Sequence, residues 1–415
     1  MHALQRIGHE VRFVCLGPEA WKLTAGAAVT RVKRFAPTSP TSGDVPAHWR
    51  AGTLGKELAR RTWSVAQDWG DVFAGAGAVL IDQTLPDVVL PALSQRLPVI
   101  ILSTHLSYAR RGATPPLTVL DGNARRGWAV VREGVARADR ELAELVESRQ
   151  LPAVMHPEFW RRWAAELNRG DQLVESCLSM LPGWRGLAEL VLVPEHLELP
   201  GHHRASGLYY LPPPMELVKV SRSVMQRRRG RLALCAFGSQ LQNYRDAELR
   251  DRAQLWIDAL ALLPDFFLAL QAPDRLRRAL RLNDRVEVRS SWPQRALLQE
   301  AALFVTHCGV NSMLEAVRCA VPMVAQPLRW DQPGNAMRLE HHGLARCVRE
   351  WTPAGIAAVV REALALPKRR LRTAASYFPS KAEYDARLAS LLPALVAHAS
   401  ATPRIRRRLG SKRAK

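Results

Sequence analysis

The amino-acid sequence predicts an α/β protein built from two doubly wound, Rossmann-like domains that face each other across a cleft. Three observations predict it. The chain has 415 residues, more than one ordinary core accommodates. Short continuous apolar runs alternate with helix-period segments in both halves, the pattern of parallel strands covered on both faces. Between the halves lies GLYYLPPPMELVKVSRSVMQRRRG (207–230), with three consecutive prolines, which reads as an interdomain connection.

The elements follow in order. An N-terminal domain occupies 1–210, a linker 211–230, a C-terminal domain 231–380, a terminal helix 381–400 and a basic tail 401–415. In the first half VRFVCL (11–16), GAVLIDQT (77–84) and LPVIILST (97–104) read as buried strands, because each is a short apolar run bounded by turn residues. The pattern turns helical from about 122 to 190, and LAELVLVPEHLELP (187–200) holds a further strand. After Arg231 the pattern restarts. LALCAFGS (232–239), FFLALQA (266–272), RVEVR (285–289), ALFVTHCG (302–309) and VPMVAQP (321–327) are strands, and helical segments lie between them. Repeated β-α-β of this kind places ligands at the carboxyl ends of the strands.

Composition narrows the function. Lys plus Arg number 59 against 38 Asp plus Glu, a net charge of +21, which favours anionic partners. The basic residues cluster in QRRRGR (226–231), KRRLR (368–372) and RIRRRLGSKRAK (404–415) without any nucleic-acid-binding motif, so no nucleic acid is expected. No apolar run approaches the roughly 20 residues that span a bilayer, and no signal peptide is visible. The expectation is a cytoplasmic protein, with peripheral contact to an anionic membrane left open. The six cysteines are scattered without a C-x-x-C pair and read as reduced thiols.

The stretch THCGVNSMLEAVRCAVPMVAQPLRWDQPGN (306–335) carries the chemistry. A buried strand ends in His307 and Gly309, and a helix begins near Asn311. Free N–H groups and the helix dipole there suit a phosphate. His307 and Ser312 can donate to phosphate oxygens, and Gly309 lets the backbone approach closely. Glu315, one turn along, can accept from ribose hydroxyls, and Asp331 and Gln332 suit sugar hydroxyls. Ser312 and Glu315 also fit a capping box, and His307 also fits a satisfied buried histidine.

Pro293-Gln294, then His307, Gly309, Asn311, Ser312 and Glu315, then Asp331-Gln332 form an ordered set that resembles the nucleotide-sugar signature of the family 1 UDP-glycosyltransferases, the inverting enzymes of the GT-B fold. Phe237-Gly238-Ser239 is similar to the family's turn after the first C-terminal strand. The resemblance implies that His307 and the Ser312 region hold the diphosphate with Ser239 opposite. It also implies that Gln294 and Glu315 contact ribose, that Asp331 and Gln332 contact the transferred sugar, and that no metal or cofactor is needed. Ser291 stands where the family has its uracil-stacking Trp, and Trp292 is one residue late.

ALQRIGHEVRFV (3–14) resembles the end of the family's first helix and its second strand. The family's first strand and its catalytic His loop would then lie before Met1. The expectations are a misassigned start or an inactive paralogue, a general base absent from the chain, and a gap beside Val11–Leu16. Asp82 falls where the family often has the carboxylate that orients the base, and it also fits a plain strand-end cap. His105 is placed on the acceptor side. The resemblance implies transfer of a hexose, glucose first, from UDP-glucose or a related nucleotide sugar to a small or lipophilic hydroxyl acceptor, with the bacterial carotenoid and macrolide branches nearest in pattern. A MurG-like or epimerase-like GT-B enzyme and a vestigial nucleotide-sugar-binding protein remain alternatives.

Overall fold

The computed structural model describes residues 2–11, 13–15, 29–31, 70–83, 88–89, 92–93, 95–106, 174–175, 183–184, 186–199, 207–218, 230–238, 241, 245–328 and 331–401. The N-terminal part holds α1 (His2–Arg6), β1 (Phe13–Cys15), β2 (Val29–Arg31), α2 (Gly70–Phe73), β3 (Val79–Asp82), β4 (Val99–Ser103), β5 (Val174–Glu175), β6 (Gly183–Trp184), β7 (Ala188–Val191) and β8 (Leu208–Tyr210). The C-terminal part holds β9 (Arg231–Ala236), α3 (Asp246–Ala261), β10 (Phe266–Gln271), α4 (Asp274–Arg277), β11 (Val286–Arg289), α5 (Gln294–Leu298), β12 (Leu303–Thr306) and α6 (Val310–Arg318). It continues through β13 (Met323–Ala325), α7 (Gln332–His341), β14 (Ala345–Cys347), α8 (Pro353–Leu364), α9 (Lys368–Ala375) and α10 (Lys381–Ala401).

The C-terminal sheet has six parallel strands in the order β11-β10-β9-β12-β13-β14. Burial on both faces explains why Leu232 to Ala236 and Leu303 to Thr306 read as unbroken apolar runs. The chain goes from β9 outward to β10 and β11, then returns to β12 on the other side of β9. That reversal creates a crevice at the carboxyl ends of β9 and β12. Helix α3 covers one face through Leu249, Ala253, Trp256, Ile257 and Leu260, at helical spacing. Its first turn carries Asp246 and Glu248, which suit the positive end of the helix dipole. Thr352 caps α8 by accepting from the Gly355 N–H at 3.0 Å.

In the N-terminal part the order β3-β4-β7-β8 makes a four-stranded parallel sheet, and β1 and β2 form a separate parallel pair. Leu80, on β3, is a large apolar side chain left 36% exposed. Leu208–Tyr210 is the fourth strand of that sheet, which corrects the reading of GLYY as the start of the connection. The segment from about 122 to 173, Cys177 and the basic tail from 402 lie outside the described residues.

Helix α10 returns to the N-terminal domain. Ser380 and Glu383 form a reciprocal capping box, with Ser380 N donating to Glu383 Oε2 at 2.7 Å and Glu383 N to Ser380 Oγ at 3.3 Å. Leu388, Leu395 and Ala399 then pack with Ala3, Ile100, Ala188, Leu190 and Leu211. Arg6 pairs with Asp385 at 2.6 Å.

The domains also share a core. Leu106, Val191, Val193, Leu197 and Leu208 pack in one cluster with Met313, Leu314, Ala336 and Leu339. Within it Arg338 Nε donates to Glu198 Oε2 at 3.0 Å, with both side chains 5% exposed or less. The prolines at 212–214 offer no N–H, and the carbonyls that follow are clamped instead. Met215 O accepts from Arg318, Glu216 O from Arg295, and Val218 O from Gln299.

Candidate functional site

The site is built where β12 and β9 end. Past Thr306 the chain turns through Cys308, a non-glycine residue at φ 66°, and enters α6 with Gly309 as its N-cap. Such a left-handed residue costs about 1–2 kcal/mol and must be held. Cys308 N donates to Thr306 Oγ1 at 3.0 Å, and Asn335 Nδ2 donates to Cys308 O at 2.9 Å. Asn335 also donates to Asp331 Oδ2 at 2.8 Å, so α7 braces the turn from behind.

His307 stands between two glycines. A β-carbon at Gly238 would lie 2.5 Å from its Nε2, and one at Gly309 would lie 2.4 Å from it. Gly238 also has φ +89°, a conformation that favours glycine. These two glycines therefore give the imidazole its space, a tighter requirement than the free backbone approach read from the sequence. Burial pushes the His307 pKa down to about 4, so the ring is neutral near pH 7 and offers one N–H. Its Nδ1 is buried without a hydrogen-bond partner among the described residues.

No side chain caps α6, and its first turn carries no acidic residue. The opening N–H groups, including that of exposed Asn311, are thus available to an anion at the positive end of the dipole. Ser312 lies inside the first turn and is not the N-cap, so the capping-box alternative does not hold. Beside it Gln294 Nε2 donates to Ser312 Oγ at 3.2 Å and to Glu315 Oε2 at 2.7 Å. The two residues expected at ribose are therefore neighbours.

Trp292 is half-buried, donates Nε1–H to Leu270 O at 3.0 Å, and carries the Arg289 guanidinium 4.3 Å from its ring centroid. Arg289 therefore occupies one face of the ring. Gln332 is 3% exposed and accepts from the Leu328 N–H at 2.8 Å. Ser239 lies outside the described residues.

The other domain reaches the same edge. Gln83, just past β3, hydrogen-bonds through its side-chain amide to His105 Nδ1 at 2.7 Å, and Thr104 Oγ1 lies 3.2 Å from that nitrogen. Asp82 is half-buried at the end of β3, and it is the next residue, Gln83, that reaches the imidazole. Burial raises the Asp331 carboxyl pKa, while the facing His105 charge and the Asn335 amide pull it down. His2 and His9 are exposed, away from this edge, and His2 lies 3.3 Å from the Gln5 side chain. Among the described residues no group of three or more His, Cys, Asp or Glu is placed to hold a metal. The four cysteines with described side chains, Cys235, Cys308, Cys319 and Cys347, are free, and burial raises each thiol pKa.

Sequence reasoning missed Gln83 and Asn335. Asn335 follows Asp331 by one helical turn, a spacing that could have pointed to it; nothing in the sequence marks Gln83.

Two facing parallel-sheet domains, an anion-ready helix start at the sheet reversal and a terminal helix that crosses back define the GT-B glycosyltransferase architecture. Solved structures agree on the fold. The glycotransferase of kitacinnamycin superposes with a TM-score of 0.62 at 21% identity, covering 94% of this chain and 92% of that one. The UDP-glucose: anthocyanidin 3-O-glucosyltransferase in complex with UDP superposes with a TM-score of 0.58 at 15% identity, covering 94% and 95%.

Residues 227–368 match the family described as UDP-glucoronosyl and UDP-glucosyl transferase. The oleandomycin glycosyltransferase of Streptomyces antibioticus is 41% identical over 113 residues, 26% of each chain. The zeaxanthin glucosyltransferase of Pantoea ananas is 41% identical over 59 residues, 14% of each chain. The chain thus matches about a quarter or less of the length of these curated relatives.

Proposed function

We propose that the protein transfers a hexose, glucose first, from a UDP-sugar to a hydroxyl of a lipophilic or small acceptor, with inversion at the sugar carbon. The observation that carries this reading is the neutral His307 imidazole, seated between Gly238 and Gly309 at the uncapped start of α6, with the Gln294–Glu315 pair alongside. In this reading His307 and the first-turn N–H groups hold the diphosphate and stabilise its charge as it departs. Glu315 and Gln294 take the ribose, and Asp331 and Gln332 take the sugar. The reaction so drawn calls for no metal. Relatives named for oleandomycin and zeaxanthin support an acceptor of macrolide or carotenoid character.

The test is calorimetry and turnover on the full chain. UDP and UDP-glucose should bind, and incubation with a phenol such as 4-methylumbelliferone should give its glucoside by mass spectrometry. His307→Ala should weaken UDP binding about tenfold or more, the loss of one hydrogen bond to a charged group. Gln332→Ala should impair use of the sugar and leave UDP affinity near wild type. Unchanged UDP affinity in the His307 variant rejects the assignment.

A further inference from the structure

A second polar cluster lies at the mouth of the crevice, and it belongs to both domains. His105 follows β4 and is held at Nδ1 by Gln83 and Thr104. The next residue, Leu106, is fully buried in the core that the domains share, so the loop carrying the imidazole is anchored against the C-terminal domain. Across from it lies Asp331, buried at the start of α7, whose charge interacts with that of His105. Asp331 is joined through Asn335 to the carbonyl of Cys308, and so to the turn that carries His307. A continuous hydrogen-bonded and electrostatic path thus runs from the N-terminal strand ends to the diphosphate turn.

We infer that His105 is the general base for the acceptor, oriented by Gln83 and charge-stabilised by Asp331 across the domain interface. The inference rests on the proposed sugar transfer and adds to it the group that receives the proton. The structure sets the Gln83 amide nitrogen 2.7 Å from Nδ1; turned by 180°, the same amide presents its oxygen to Nδ1–H, and Nε2 is then left unprotonated. The acceptor O–H then gives its proton to Nε2 as the acceptor oxygen forms a bond to the sugar C1. The C1–oxygen bond to the diphosphate breaks, and UDP leaves with the electron pair. The imidazolium that forms faces the Asp331 carboxylate, an arrangement that favours proton uptake. Two further carboxylates lie near these strand ends among the described residues: Asp82, one residue before Gln83, and Glu189, which accepts from Ser103 Oγ at 2.6 Å.

The experiment compares two acceptors on the intact protein with UDP-glucose as donor. One is 4-nitrophenol at mildly alkaline pH, already ionised and in no need of a base. The other is 2-naphthylmethanol, an alcohol that must be deprotonated. His105→Ala and His105→Asn should lower turnover of the alcohol by about 10²–10⁴-fold. Both variants should leave the phenolate rate within a few fold and UDP affinity by calorimetry unchanged. Gln83→Leu should show the same split at about tenfold.

Equal loss with both acceptors would mean that His105 only shapes the cleft, and no loss with the alcohol would mean that another group takes the proton; either result overturns the inference. So does a wild-type chain that binds UDP yet glucosylates neither acceptor. A wild-type chain that binds no UDP sinks the functional reading itself, and the inference with it.

Discussion

The C-terminal sheet runs through six parallel strands without a break, whereas the described N-terminal strands fall into a four-stranded sheet and two separate pairs, β1–β2 and β5–β6. The first arrangement makes its own crevice, because the chain reverses direction between β9 and β12 within one sheet. Every residue that shapes the His307 turn comes from that domain. The second arrangement contributes to the site only through strand ends, at Gln83 and His105. It is held in place by what the C-terminal domain and α10 supply, namely the Arg338–Glu198 pair, the clamped linker and the apolar face of the terminal helix. Donor binding should therefore tolerate disturbance of the N-terminal domain, and acceptor chemistry should not.

The largest effect should come from separating the domains. Glu198→Ala leaves Arg338 buried at 3% exposure with its charge uncompensated. Removing one partner of a buried pair typically costs about 3–5 kcal/mol. Chemical denaturation should show that loss, and UDP affinity at low denaturant should change little. Equal loss of UDP affinity would make the donor site depend on the interface after all.

Acid should act on the C-terminal domain next. His307 has a pKa of about 4 when folded, against 6.5 for the free side chain. The unfolded chain therefore binds more protons between those values. The stability that comes with a neutral His307 is complete above pH 6.5 and is lost as pH falls toward 4, on the order of 3 kcal/mol. The difference in unfolding free energy between wild type and His307→Gln, followed from pH 7 downward, should shrink across this window. A constant difference would mean that the imidazole is not kept neutral by burial.

Gly238→Ala should cost about 1–2 kcal/mol through its positive φ. It should also weaken UDP binding about tenfold to a hundredfold by displacing His307 from its contact with the diphosphate. An Ala at this position that binds UDP normally would show that the ring has room to spare. The smallest effect is a control within the same domain. Thr352→Ala removes the α8 cap, costs about 1 kcal/mol, and should leave UDP affinity untouched.

Much of this was legible in the sequence, for physical reasons. A strand covered on both faces must be apolar throughout, so β9, β10, β12 and β13 announce themselves as runs. Leu208–Tyr210 did not, because its run passes directly into prolines and the sheet it joins is defined by distant residues. The cluster proposed to bind the donor was readable because His307, Gly309, Ser312 and Glu315 lie on one strand-turn-helix unit with local spacing. Asn335 and Gln83 were not singled out, because each earns its place by a contact made through the fold, to Cys308 O and to His105. Gly238 was read only as part of the turn after the first C-terminal strand; only the structure shows the imidazole packed against it, from a strand about 70 residues later.

The central claim is that the nucleotide of the donor is held by the C-terminal domain at the β12–α6 turn. Hydrogen–deuterium exchange of the full chain with and without UDP tests it most directly. The account predicts that UDP slows exchange in residues 307–315 and in the adjoining 236–238 and 294–298 segments, with little change across β4 and β7. Protection confined to the N-terminal strands, or none at 307–315 when UDP is bound, would contradict it.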